Sequence, residues 1–335
     1  ALFGASTPLA KLLLGEIPPV ALAGLLYLGS GLGLSAWWIL SGLRGRSTEA
    51  RLNRADLPWL AGAVGAGGVV GPALLMLGLA STPASTAALL LNLEGVLTAL
   101  LAWFVFRENF DRRIALGMAA ITAGGVLLSW GGTQGVQVPW GSLAVAGACL
   151  AWAVDNNLTR KVSASDPVQV AAIKGVVAGT VNLALGFGLG FHFPAVTTVL
   201  AAGAVGLLGY GVSLVCFVLA LRHLGTARTG AYFSLAPFVG AGLSLAVFSE
   251  QVTGYFAAAA LLMGIGVWLH LTERHEHEHL HEEMEHDHLH HHDEHHQHEH
   301  APGDPPGEPH SHPHRHTALR HSHPHYPDIH HRHKH

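Results

Sequence analysis

The sequence predicts an all-α integral membrane protein: about ten transmembrane helices as two inverted five-helix repeats, followed by a disordered histidine-rich tail. Three observations carry this reading. Of the 335 residues 50% are hydrophobic and 12% charged, with 41 glycines, a balance that suits a polytopic membrane protein better than a soluble one. That average conceals two unlike stretches: residues up to Leu271 are apolar with short polar breaks, whereas Glu273 to His335 is almost entirely His, Glu, Asp, Pro and Arg. Finally, the stretch Gly67 to Trp130 returns in paler form from Gly209 to Thr272 with no gap. At a constant offset Leu93 falls on Leu235, Ala99 on Ala241, Val105 on Val247, Phe106 on Phe248, Glu108 on Glu250, Gly124 on Gly266 and Leu127 on Leu269.

A hydrocarbon core about 30 Å thick calls for about 20 apolar residues per helix. On that ruler the spans run near Ala1 to Leu14, Pro19 to Leu40, Pro58 to Leu79, Pro83 to Phe106, Ile114 to Trp130, Trp140 to Arg160, Pro167 to Phe191, Ala195 to Leu221, Thr226 to Phe248 and Gly254 to Leu271. The first opens mid-hydrophobic, without Met or a charged leader, and reads as a span lacking its start rather than a signal peptide. Trp37, Trp38, Trp59, Trp130, Trp140 and Trp268 fall near span ends, as interfacial anchors do. Cys149 and Cys216 lie inside spans, where packing residues are expected and a disulfide is not. Gly62, Gly65, Gly67, Gly68 and Gly71 read as close helix packing, not as a nucleotide loop.

Loop charge sets the orientation. Arg44, Arg46, Arg51 and Arg54 follow the second span, Arg107, Arg112 and Arg113 the fourth, Arg160 and Lys161 the sixth, and Arg222 and Arg228 flank the corner after the eighth. The alternate loops, such as Gly131 to Val138 and Ser249 to Thr253, carry no Lys or Arg, so the positive-inside rule makes both termini cytoplasmic. Glu108 then sits in an arginine-rich corner and its counterpart Glu250 in a corner without one, as two halves of opposite orientation require.

Each copy is a long apolar helix, a polar corner ending in Phe-x-Glu (Phe106 and Glu108; Phe248 and Glu250), and a second Gly- and Ala-rich helix. The run Ala88 to Glu108 followed by a glycine-containing helix resembles the repeat of the drug/metabolite transporter superfamily, the EamA-type permeases. That resemblance implies one repeat over residues 1–130, a second over 139–272, and a low-complexity tail over 273–335. The family pattern has Pro after the Glu of this run; Gly95 stands there, while the second copy keeps Pro237. The resemblance also implies a cavity lined mainly by helices one, three, four, six, eight and nine, and a bacterial inner-membrane location.

Isolated polar groups inside spans mark candidate sites, because each is costly in hydrocarbon and faces a cavity or a partner. Glu94 lies about 17 Å into the fourth span, close to the midplane. It is the first candidate for a substrate or proton group; its structural alternative is a protonated carboxyl bonded to a neighbouring carbonyl. Asn92 is two residues away on another face, and Thr86 and Thr98 extend a polar lining. In the sixth span Trp152, Asp155, Asn156 and Thr159 share one helical stripe. Asp155 and Lys174 lie at similar depth, about 8 to 10 Å from the cytoplasmic side, and can pair. Such a pair either staples two helices or serves the substrate. The implied cavity favours Asp155 over Lys174 as lining. Tyr210 and Tyr232 could stack on a substrate or pack, and Pro8, Pro72 and Pro237 are candidate kinks.

The tail repeats His-x-His and His-Glu-His through His275, His277, His279, His281, His286, His288, His290, His291, His292, His295, His296, His298 and His300. Imidazole with interspersed carboxylate suits weak, multi-site binding of Zn, Ni, Co or Cu. No cofactor is required by any motif. With no nucleophile elbow, phosphate loop or zinc-protease motif, the chain is read as no enzyme and as no nucleic-acid binder.

These features lead to a secondary transporter that exports or exchanges a small polar metabolite by alternating access, with lipid around it and a homodimer as a candidate assembly. One alternative is a divalent transition-metal exporter with a metal-collecting tail; the spans offer it no His or Cys pair. A second is a membrane-anchored metal buffer or sensor whose bundle moves nothing. Deleting residues 273–335 separates the metal exporter from the metabolite permease: the former should lose metal resistance or its metal response in growth across a metal panel, with intracellular metal measured in parallel, and the latter should not.

Overall fold

The computed structural model describes residues 1–43, 52–106, 112–130, 139–163, 165–272, 276–281, 284–290, 310–316 and 319–324. Arg44, Arg46, Arg51, Arg107, Glu108, the loop 131–138 and the tail histidines His275, His291, His292, His295, His296, His298 and His300 lie outside the described residues.

The first half consists of α1 (Leu2–Leu13), α2 (Pro19–Leu43), α3 (Leu57–Ala63), a π segment (Val64–Val70), α4 (Gly71–Ser81), α5 (Ala84–Leu90), α6 (Leu93–Phe106) and α7 (Arg112–Trp130). The second half consists of α8 (Trp140–Val162), α9 (Pro167–Gly188), α10 (Val196–Gly206), a second π segment (Leu207–Val212), α11 (Ser213–Phe233), α12 (Ala236–Phe248) and α13 (Gly254–Leu271). Among the described residues seven helices are long and apolar enough to cross a membrane. The 23-residue α8 has the length, but carries Asp155, Arg160 and Lys161.

The duplication reaches the irregular backbone. The two π segments contain the aligned glycines Gly67 and Gly209. Both copies also break within one residue of the same aligned position, at Leu91–Asn92 and at Ser234–Leu235. The second break has Pro237 just inside α12. The first has Gly95 at that place, and its loosened turn is sealed by side chains: Asn92 Nδ2 donates to the Leu89 carbonyl at 3.1 Å and the Cys149 thiol lies 3.6 Å from the Leu90 carbonyl. In hydrocarbon a freed carbonyl has no other source of donors.

One corner is built differently in the two copies. The sequence suggests a break near Arg222 to Thr226. Although α11 keeps helical backbone from Ser213 to Phe233, the chain turns back within it: the Phe217 and Phe233 rings lie 5.0 Å apart, where sixteen residues of straight helix would span about 24 Å. The aligned corner of the first copy does break, because Pro83 forces Thr82 into extended backbone at φ −121°, ψ 143°. The second copy has Gly225 where the first has Pro83, so its turn is made with no residue forced into extended backbone.

The bundle is apolar outside and polar within. Leu32, Phe104, Leu200 and Leu261 are exposed on its surface, while Glu94, Asp155, Lys174 and Asn182 are buried. Trp37, Trp59, Trp140 and Trp268 are exposed at helix ends, which fits an interfacial role. The α3–α4 rod lies antiparallel to α8: Gly78 faces Gly141, Gly71 faces Trp152 and Gly62 faces Leu158. Past Thr272 the described backbone is extended, Glu276–His281 pairing antiparallel with Leu319–Pro324 and Met284–His290 with His310–His316. This region is expected from sequence to be disordered; its His-x-His alternation has the two-residue period of a strand. The all-α description belongs to residues 1–272.

At the crossing of α2 with α9, Gly31 and Gly175 bring backbone against backbone. A Cβ on Gly175 would meet the Gly31 backbone at 2.5 Å, and neither chain can yield as a flexible side chain would. Gly175→Val is expected to destabilise the bundle by about 1–3 kcal/mol or more, read as a lower thermal midpoint in detergent.

Candidate functional site

The π segment of the third span organises the site. A π turn shifts the backbone ladder from i+4 to i+5 and leaves carbonyls available to other donors. Tyr27 of α2 and Trp152 of α8 both donate to the Gly67 carbonyl, each at 2.9 Å. Asn182 of α9 donates to the Gly68 carbonyl at 3.0 Å. Three helices are thereby tied to one loosened turn. Gly67 also lies directly against Asp155, since a Cβ there would overlap the Asp155 carboxylate.

Asp155 is fully committed. Lys174 Nζ reaches its Oδ1 at 2.5 Å and Oδ2 at 2.8 Å, and Thr159 donates to Oδ1 at 2.8 Å. Lys174 also donates to Thr159 Oγ1 at 3.2 Å. The Lys174 and Asp155 side chains are 2% and 8% exposed, so each charge depends on the other for its solvation.

Glu94 differs. It is 8% exposed at the start of α6, and its Oε1 accepts from Asn156 Nδ2 at 2.8 Å. Asn156 lies 3.3 Å from Thr98 Oγ1, which places Thr98 in the same network. Among the described residues no cation stands within ion-pair distance of Glu94. Glu94 is therefore a buried carboxyl held by neutral donors, next to an ion pair that is already closed.

These groups line one cavity of about 60 Å³. Glu94, Asp155, Asn156 and Lys174 form its polar wall, and Phe3, Tyr27, Trp152, Tyr210, Phe217 and Phe233 face them. Phe3 is the hub of the aromatic wall, edge-on to Trp152 and Tyr210 with ring centroids 5.8 Å away in each case, and 5.1 Å from Phe233. The Tyr210 hydroxyl is buried without a hydrogen-bond partner among the described residues.

The structure brings together Glu94, Trp152, Asp155, Asn156, Thr159, Lys174 and Tyr210. It leaves two candidates elsewhere. Asn92 serves the helix break, and Tyr232 is 60% exposed while the next residue of the same helix, Phe233, lines the cavity. Lys174 lines the cavity together with Asp155, although the sequence favours Asp155 alone. Phe3, Tyr27, Phe217 and Phe233 escaped sequence reasoning, since an aromatic residue in an apolar helix carries no polar signal. Tyr27 had a hint in its phenol, which needs a partner in hydrocarbon. Among the described residues no three His, Cys, Asp or Glu side chains converge as a metal site.

The model of the EamA-like transporter family matches residues 1–130 and 139–272. An uncharacterized transporter of Methanothermobacter thermautotrophicus is 28% identical over 282 residues, spanning 80% of this chain and 82% of that protein. The uncharacterized inner membrane transporter YedA of Escherichia coli K12 is 24% identical over 269 residues, spanning 75% and 83%. A solved crystal structure, 22% identical, shares the fold with a TM-score of 0.61 over 80% of this chain and 91% of its own.

The Asp155–Lys174 pair makes a direct prediction. Lys174→Met leaves a buried carboxylate without its cation and should destabilise the protein by about 3–5 kcal/mol. Asp155→Asn combined with Lys174→Met should recover most of the lost thermal stability in detergent; no recovery would show that the pair is not what holds α8 to α9.

Proposed function

Since the chain belongs to the EamA-like transporter family, we propose that it is a secondary transporter of the bacterial inner membrane that exports or exchanges a small polar metabolite by alternating access. The observation that carries the reading is the contrast between two neighbouring carboxyls. Asp155 is neutralised by Lys174, whereas Glu94 faces the same cavity with Asn156 as its donor. An ionised carboxyl in a buried place without a counter-charge is costly, so a proton or a donor group of the cargo stabilises it.

This makes proton and cargo competitors for Glu94. Cargo bound from one side displaces the proton, and the proton rebinding from the other side displaces the cargo, which is an exchange cycle with one carboxyl as its pivot. Asp155 and Lys174 then keep the cavity wall electrically neutral and preserve its shape. The aromatic wall centred on Phe3 offers faces for an apolar part of the cargo, and the Tyr210 hydroxyl offers it a further hydrogen bond. A cargo with a hydrogen-bonding or cationic head and a small apolar body fits both walls.

The test is proton flux. Proteoliposomes holding the full chain and a pH-sensitive dye are challenged with a panel of amino acids and their toxic analogues. A compound that drives dye response through the unsubstituted protein should fail to do so through Glu94→Gln, while Asn156→Ala should weaken it. Cargo-dependent proton flux that persists at an unchanged rate in Glu94→Gln would sink the coupling role.

A further inference from the structure

Away from the cavity, the corner between α4 and α5 is held by two charges from distant parts of the chain. Pro83 precedes α5 and offers no side-chain cap, so the first N–H groups of that helix would be open. Glu250 supplies what Pro83 cannot. Its Oε1 accepts from the Ala84 N–H at 2.8 Å, its Oε2 accepts from the Ser85 N–H at 3.1 Å, and the Ser85 hydroxyl donates to the same oxygen. A forked carboxylate on a helix N-terminus is favoured by both the hydrogen bonds and the helix dipole.

The other end of the corner carries the opposite charge. Lys11 of α1 donates to the carbonyls of Leu79 and Thr82, the latter at 3.0 Å, where α4 ends. A cation on the last carbonyls of one helix and an anion on the first amides of the next is the arrangement the two dipoles favour.

Glu250 belongs to the second copy and the corner to the first. The chain pays for the approach with Ser249, which adopts left-handed φ 51°, ψ 37° and is the one non-glycine residue with positive φ among those described. The contact lies at a defined end of the bundle. Thr82 and Ser81 face Gly141 at the start of α8, and Asp155, four residues before Thr159, is toward the other end. The site cavity lies between that end and the Arg160–Lys161 end.

We propose that Glu250 is a latch between the two copies: its grip on Ala84 and Ser85 keeps this end of the bundle shut in the conformation seen here. Opening the end exchanges those bonds for water, with Lys11 keeping the end of α4 capped. The proposal rests on the alternating-access reading above, but not on Glu94 or on protons. Glu250 is a positioning residue in this scheme, since it touches no cavity wall.

Distance measurement by spin labels tests it. Labels go on Ser81→Cys and Val252→Cys, both exposed, in a Cys216→Ala background of the full chain reconstituted in lipid. With Glu250 present a short distance should dominate. Glu250→Ala should add a longer-distance population at its expense, Ser85→Ala a smaller one, and Glu250→Asp should restore much of the short distance. Unchanged distributions in folded Glu250→Ala would overturn the latch. Should that variant not fold, Ser85→Ala decides, because it removes one of the contacts and leaves the amide caps. The readout needs neither cargo nor a pH gradient, so a failed flux experiment with Glu94→Gln leaves it intact, and an unchanged distance leaves the flux experiment intact.

Discussion

The structure depends on the approach of Gly67 to Asp155. Only a glycine lets the third span come so close that its backbone lies against a carboxylate, and only the π turn gives that backbone carbonyls to spare. Tyr27 and Trp152 take the Gly67 carbonyl, Asn182 takes that of Gly68, and Lys174 takes Asp155. Each bond answers the same requirement, that polar groups inside hydrocarbon find partners within the protein. Remove the close approach and the ion pair, the aromatic wall and the crossing of α2 with α9 lose a common anchor.

That arrangement also explains why two acidic residues in one cavity have different roles. Asp155 sits where Thr159 of its own helix and Lys174 of α9 converge on its carboxylate. Glu94 sits just after a helix break, where α6 begins and the neighbouring donor is a carboxamide. A carboxyl held by a neutral donor can change partner without dismantling the fold, whereas one locked to a buried lysine cannot.

Much of this was legible in the sequence, and the limits were physical. The duplication, the polar residues at midplane depth and the pairing of Asp155 with Lys174 could be read because charge in an apolar helix stands out at helical spacing. The assignment of Glu94 to the cavity followed from its depth alone. The π segments could not be read, because a run such as Val64–Val70 has the composition of any apolar helix and its one-residue insertion leaves no compositional trace. The aromatic wall was hidden for a similar reason: Phe3, Phe217 and Phe233 gain their meaning from facing one another although they are far apart in the chain. Tyr232 shows the converse, since neighbours on one helix face different ways and only Phe233 reaches the cavity.

The two copies share a pattern but not a conformation, and that difference is informative. Pro83 takes the first copy out of helical backbone between α4 and α5, while at the aligned Gly225 the second copy turns back with helical backbone, bringing Phe233 onto Phe217. At the next break the positions reverse, with Pro237 in the second copy and Gly95 in the first. An inverted duplication whose halves were identical would face both sides of the membrane alike and hold no cargo apart from either. Here the broken corner is the one that a carboxylate from the other copy reaches, at the cost of a left-handed serine. The strain is localised where the halves meet. Divergence of two prolines thus leaves one corner held by proline and a borrowed carboxylate and the other turned through glycine.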